Sequence, residues 1–111
     1  MRLIIVRHGE TLANIGKIIQ GQLPGELSPG GRRQAQLLAE RLKNENISHI
    51  WSSTLKRARE TAKEIASVHG LQVQPVPELK ERSFGSLEGK SFDAYFQALE
   101  ESGKPFFLFS P

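Results

Sequence analysis

The residue types best able to do covalent chemistry stand together near the start of this sequence, in Arg7-His8-Gly9-Glu10-Thr11. A neutral imidazole has a lone pair that can attack phosphorus, provided its other nitrogen is held as a donor, commonly by a backbone carbonyl. The planar fork of Arg7 can bind two phosphate oxygens at once, and Gly9 lets the backbone approach a ligand closely. Together the three suit phosphoryl transfer. A polar turn with a hydrogen-bonded His is the plainer reading of the tripeptide alone.

Two more charged residues need weighing, and the location of one of them favours an anion. Arg57 follows Ser52-Ser53, which reads as a helix N-cap and so puts Arg57 in a first turn, where free N–H groups and the positive dipole end favour an anion. Glu81 stands among Glu78, Lys80 and Arg82. On the residues alone Arg57 is more often a solvated helix arginine and Glu81 an ordinary charged loop residue. Glu10, Lys17, Glu88 and Lys90 read as structural or solvated. His49, within a strand, and His69, at a helix end, read as structural too.

The elements that must position these residues follow from periodicity and punctuation. Leu3-Ile4-Ile5-Val6 is a continuous, β-branched run, expected to be a strand buried on both faces, with Arg7 and His8 at its carboxyl end. After a loop from Gly9 to Leu27, Ser28-Pro29 opens a helix to about Lys43 with Ala35, Leu38 and Leu42 at helical spacing. Ile47 to Trp51 is a second strand. The helix after it carries Leu55, Ala58, Ala62, Ile65 and Ala66 and ends at the cap Gly70. Leu71 to Gln74 alternates as a third strand, and Pro75 and Pro77 lead into a loop through Gly89. Ser91 caps a last helix with Phe92, Phe96 and Leu99 on one side, stopped by Gly103 and Pro105. Strands alternating with helices predict an α/β fold with right-handed crossovers, whose ligands gather at the carboxyl ends of the strands.

Composition narrows the function classes. Fifteen Lys and Arg against twelve Asp and Glu leave a net charge of +3, which argues against a nucleic-acid partner and for a small anionic one. There is no cysteine, hence no disulfide, thiolate nucleophile or thiolate metal site, and a cytoplasmic setting is expected. The apolar run at the N-terminus is far short of a signal core or a membrane span, so no membrane partner is expected.

With these residues in view, the sequence resembles the histidine phosphatase, or phosphoglycerate mutase-like, superfamily. The likeness starts in the apolar run ending in Arg-His-Gly-Glu-Thr. It continues in order through Asn14, Gln20-Gly21, Leu27-Ser28-Pro29-Gly30-Gly31-Arg32-Arg33-Gln34-Ala35, Ser52-Ser53-Thr54-Leu55-Lys56-Arg57-Ala58 with Thr61-Ala62, and Leu79-Lys80-Glu81-Arg82 with Gly85 and Glu88-Gly89. The resemblance implies a three-layer sandwich, a mostly parallel sheet flanked by helices, with no metal and no cofactor. It implies that His8 accepts the phosphoryl group, that Arg7 and Arg57 bind its oxygens, that Glu81 gives a proton to the leaving oxygen, and that Asn14, Gln20 and Gly21 line the pocket. Lys17 to Gln22, Leu79 to Gly85 and Leu87 to Lys90 look like the TIGAR-type, fructose-2,6-bisphosphatase-like branch.

The resemblance also implies that residues 1–111 are the N-terminal part of a single catalytic domain close to twice this length. The family's second catalytic histidine lies in a late His-Gly context, which neither His49 nor His69 matches. The expected activity is hydrolysis of phosphate monoesters of small metabolites, sugar bisphosphates or glycolytic acids, with this chain alone impaired. A phosphoglycerate mutase, a phosphoprotein phosphatase and a non-catalytic phosphate-binding module stay open as alternatives. Self-association is expected through the truncated sheet edge or the run Phe106-Phe107-Leu108-Phe109.

Overall fold

The computed structural model describes residues 1–103, so the run from Phe106 to Phe109 lies outside the described residues. In chain order the elements are α1 (Leu12–Ile15), α2 (Pro29–Leu42), β1 (Ile50–Ser52), α3 (Lys56–His69), β2 (Val73–Pro75) and α4 (Phe92–Ser102), with short 3-10 turns at Pro77–Leu79 and Gly85–Leu87. β1 and β2 pair in parallel, Ile50 with Val73 and Ser52 with Pro75, across the crossover made by α3. This is the expected α/β class, helices flanking a small parallel sheet.

Caps set the helix limits. Ser28 accepts the Gly31 N–H at 2.9 Å with Pro29 in the first turn, and α2 ends at Leu42. Gly70 and Gly103 close α3 and α4 in the left-handed conformation that glycine takes without a Cβ penalty. α2 and α3 pack on each other, α2 burying Gly31, Ala35 and Ala39 and α3 burying Arg57, Thr61, Ala62, Ile65 and Ala66. Small side chains at this spacing bring the two backbones close. A second, smaller core joins Ile19, Leu87 and Tyr95, with Phe84, Ala98 and Leu99 against it.

The structure departs from the expected elements in four places. Leu3 to Val6 is not a buried strand. Residues 3 and 5 are bare and residues 4 and 6 partly covered, the alternation of an extended segment, and among the described residues none of their backbone groups has a bonded neighbour strand. The radius of gyration of 15.9 Å exceeds the ~13 Å of a compact domain of about 100 residues.

Ser52 and Ser53 do not cap α3. β1 runs through Ser52, Leu55 takes the cap position, and the first-turn N–H of Arg57 donates to the Pro24 carbonyl at 3.1 Å. The anion-binding N–H groups expected there are therefore partly spent on the chain itself. In α4 the inward face is Tyr95, Ala98 and Leu99, with Phe92 and Phe96 exposed, because Tyr95 packs edge-on against Phe84 at 5.5 Å. Finally, the region from Gly9 to Leu27 is not a plain loop. It contains α1, whose Thr11 and Asn14 form a reciprocal capping box.

Candidate functional site

His8 follows that extended run and enters a turn whose backbone is gripped on both sides of Gly9. The Gly9 N–H donates to Thr61 Oγ1 of α3 at 3.0 Å, and the Glu10 N–H donates to Gln34 Oε1 of α2 at 2.9 Å. Glu10 then pairs with the start of α2. Its carbonyl accepts the Ser28 N–H at 2.9 Å, and the Ser28 hydroxyl donates toward its carboxylate at 3.0 Å. The Leu12 N–H to Glu26 carbonyl bond and the Thr11 to Leu27 bridge extend this clasp.

Glycine is required where the turn crosses α2. A Cβ on Gly9 would lie 2.5 Å from the Gly31 carbonyl oxygen, and one on Gly31 would run into the Glu10 backbone. Backbone rides on backbone here, which gives the Arg-His-Gly-Glu and Ser-Pro-Gly-Gly stretches one shared physical reason.

The imidazole itself is held in one tautomer. His8 Nδ1 lies 2.7 Å from the Gly9 carbonyl oxygen, and a carbonyl only accepts, so Nδ1 carries the proton and Nε2 keeps the lone pair. Burial pushes the His8 pKa below its ordinary 6.5, and the charges of Arg57 and then Arg7 push the same way, against the Gly9 carbonyl and Glu81. The ring is thus kept neutral and nucleophilic.

Arg57 is 3% exposed and is held by the loop before α2. Nη1 donates to the Leu23 carbonyl at 2.6 Å and Nη2 to the Gly21 carbonyl at 2.7 Å, leaving three of the five guanidinium N–H groups for other acceptors. Burial lowers its pKa, opposed by Glu81 and Glu88. Gly25, at φ +73°, lies between two of the expected residues, since a Cβ there would meet Gln20 Oε1 at 2.7 Å and Arg57 Cδ at 2.8 Å. Gln20, Gly21 and Arg57 therefore converge, and Gln20 Oε1 is buried without a hydrogen-bond partner.

The other expected residues are placed more loosely. Arg7 is exposed and shares with His8, Gly9, Gln34, Ala35, Leu38 and Thr61 a cavity of about 70 Å³. Glu81 is exposed, its Oε1 accepts the N–H of its own neighbour Arg82 at 2.8 Å, and its charge reaches both His8 and Arg57. Asn14 spends its amide oxygen on the Thr11 N–H and shares no hydrogen bond with His8, Gln20 or Arg57. His49 stacks on Trp51 at 5.4 Å and His69 meets the Leu42 carbonyl at 3.0 Å, so neither comes to His8.

A larger cavity of about 230 Å³, lined by Leu27, Arg32, Glu60, Lys63 and Glu64, contains none of these residues. Its charges are partly paired with one another, Arg32 with Glu60 at 3.6 Å. Among the described residues no group of His, Asp and Glu could hold a metal ion, and no helix is long and apolar enough to cross a membrane.

Four residues that position the site carry no obvious chemical label in the sequence: Gln34, Thr61, Pro24 and Glu88. Thr61 could have been found, since it stands one turn after Arg57 on the same face of α3. Glu88 Oε1 accepts the N–H groups of Gln22 and Phe84, at 2.9 and 3.2 Å, and so ties the arginine's loop to the segment that carries Glu81.

Residues 3–107 match the family model described as Histidine phosphatase superfamily (branch 1). The chain belongs to that superfamily. Among curated proteins, the one named Probable phosphoglycerate mutase GpmB from Yersinia pestis (strain Pestoides F) is 45% identical over 94 residues, which cover 85% of this chain and 44% of that protein. Among solved structures, a mycobacterial glucosyl-3-phosphoglycerate phosphatase complexed with VO3 matches with a TM-score of 0.82 and 34% identity, covering 94% of this chain and 51% of that one. YhfR from Bacillus stearothermophilus matches with a TM-score of 0.84 and 31% identity, covering 95% and 54%. This histidine phosphatase chain thus spans about half the length of the relatives it matches.

Proposed function

We propose that the complete catalytic domain to which these residues contribute is a metal-independent phosphatase acting on phosphate monoesters of small metabolites through a phosphohistidine on His8. The observation that carries this reading is the Nδ1–H to Gly9 carbonyl bond of 2.7 Å, which leaves Nε2 as the nucleophile of a neutral ring flanked by Arg7 and Arg57. Nε2 attacks phosphorus, the ester P–O bond breaks, and Glu81 delivers the proton to the leaving oxygen. Water then attacks the phosphohistidine, giving its proton to Glu81 and releasing inorganic phosphate and free His8. Arg7 and the remaining N–H groups of Arg57 meet the charge on the phosphoryl oxygens, with Gln20, Gly21 and Asn14 around them.

Rapid quench of the complete domain with an aryl phosphate should trap an acid-labile phosphoryl group on His8 and none in His8→Ala. A trapped group that persists in His8→Ala sinks the proposal. We expect the 111-residue chain alone to turn over little, because no second histidine stands beside His8. Turnover equal to that of the complete domain refutes this part.

A mutase is the second reading, favoured by the names of the Yersinia relatives. It returns the phosphoryl group to another oxygen of the acceptor instead of passing it to water. Phosphoglycerate offered to the complete domain separates the two, phosphate release meaning hydrolysis and a positional isomer meaning mutase. A sugar bisphosphate is the substrate the TIGAR-type likeness favours, with Lys17 and Arg82 meeting the second phosphate. Equal kcat/KM on a bisphosphate and its monophosphate removes that idea.

A further inference from the structure

We infer that Gln34 and Thr61 are positioning residues that set which nitrogen of His8 carries its proton. The inference rests on the reading of His8 as a nucleophile for its purpose, although its test does not. His8 takes its tautomer from the Gly9 carbonyl, and that carbonyl belongs to the same peptide plane as the Glu10 N–H. C=O and N–H of a trans peptide point in opposite directions. Holding the Glu10 N–H on Gln34 Oε1 at 2.9 Å therefore aims the Gly9 oxygen away from α2 and onto Nδ1.

The preceding plane is fixed independently. The Gly9 N–H donates to Thr61 Oγ1 at 3.0 Å, and the same hydroxyl donates to the Arg57 carbonyl at 2.8 Å. Thr61 is 2% exposed, so one hydroxyl ties the turn of the nucleophile to the helix that carries Arg57. Glycine between the two planes makes both soft, which is why each needs a side chain from a different helix to hold it. Both N–H groups flanking Gly9 are spent on protein acceptors, so the turn is no anion-binding nest, and the phosphoryl charge falls to side chains.

The test is 15N NMR of the histidine ring nitrogens in the 111-residue chain, which reports the tautomer without any substrate. The unmodified chain should show the proton on Nδ1 of His8 in the neutral ring. Gln34→Leu removes the acceptor from an exposed position and should shift the balance toward the other tautomer by about fivefold, the worth of one net hydrogen bond. Thr61→Val should act in the same direction. Gln34→Glu and Thr61→Ser, which keep the acceptor oxygens, should restore the original spectrum.

An unchanged His8 tautomer in a folded Gln34→Leu chain overturns the inference, and that variant decides the matter even if Thr61→Val fails to fold. A shifted tautomer together with no phosphohistidine in the complete domain keeps this inference and discards the proposed function.

Discussion

Arg57 and Glu81 act on the same imidazole in opposite senses, the guanidinium lowering its pKa and the carboxylate raising it, yet the protein holds them in unlike ways. Arg57 is buried, with the carbonyls of Gly21 and Leu23 on its guanidinium and that of Pro24 on its N–H. Glu81 is exposed on a stretch of short turns, and its carboxylate accepts the N–H next along the chain. In the proposed reaction a fixed positive charge must already stand where the phosphoryl charge would develop, since preorganisation is what makes it effective. A group that gives a proton to the leaving oxygen and takes one from the attacking water has to be reached by both. The difference in burial suits the two roles proposed for them.

The largest effect that can test this comparison is chemical and involves no loss of fold. Glu81→Gln should lower ester cleavage in the complete domain by about 10²- to 10⁴-fold. It should leave folding stability within about 0.5 kcal/mol, as an exposed substitution does. Steady-state kinetics beside a urea melt checks both. A large stability loss would make Glu81 a structural residue and dissolve the contrast.

Arg57→Ala should do the reverse in kind. It strips the donors from the carbonyls of Gly21 and Leu23 and empties a buried site, so the chain should lose about 2–4 kcal/mol in denaturant unfolding. Binding of vanadate or phosphate should fall with it. Loss of anion binding at unchanged stability would show that the loop holds itself closed without the arginine.

Much of the scaffold was legible from residue types. Ser28, Gly70, Ser91 and Gly103 mark helix ends by local chemistry that needs no partner, and each cap stands where its side chain or its lack of one requires. What failed depended on distant chain. Leu55 takes the cap position of α3, and Pro24, far off in sequence, supplies the carbonyl that the Arg57 N–H meets. The run from Leu3 to Val6 has strand composition, but a strand also needs a neighbour, and among the described residues it has none.

The site divides the same way. His8, Arg57 and Gln20 could be named from motif order, whereas the grip of Gln34 and Thr61 on two peptide planes, and the committed N–H groups of Arg57, are products of closure. No spacing rule encodes which carbonyl a guanidinium will find.

His8 gives a third prediction, set by the sign of its shift. Its folded pKa lies below 6.5, so as pH falls the unfolded chain takes the proton first. The contribution to stability is therefore intact above about pH 6.5, declines as pH falls below it, and levels off once folded His8 is itself protonated. The slope within that window should approach at most about 1.4 kcal/mol per pH unit and vanish in His8→Gln. Arg57→Ala should raise the His8 pKa toward its ordinary value, which an NMR titration reads directly. A folded pKa above 6.5 in the unmodified chain reverses the sign and with it the claim that burial and the arginines keep the ring neutral.

The smallest effect probes the tie between the two regions. Gln22 Nε2 donates to the Glu81 carbonyl at 3.2 Å in an exposed position, while its backbone N–H donates to Glu88 Oε1 at 2.9 Å. Gln22→Ala deletes only the first bond, because the second uses the main chain. Stability should move by less than about 0.5 kcal/mol. Amide exchange should quicken across residues 81–84 and stay unchanged at Arg57, since Glu88 still clamps the loop and the carbonyls of Gly21, Leu23 and Pro24 are untouched. If exchange at Arg57 quickens equally, the two regions share one local opening, and the acid does not move independently of the charge it works beside.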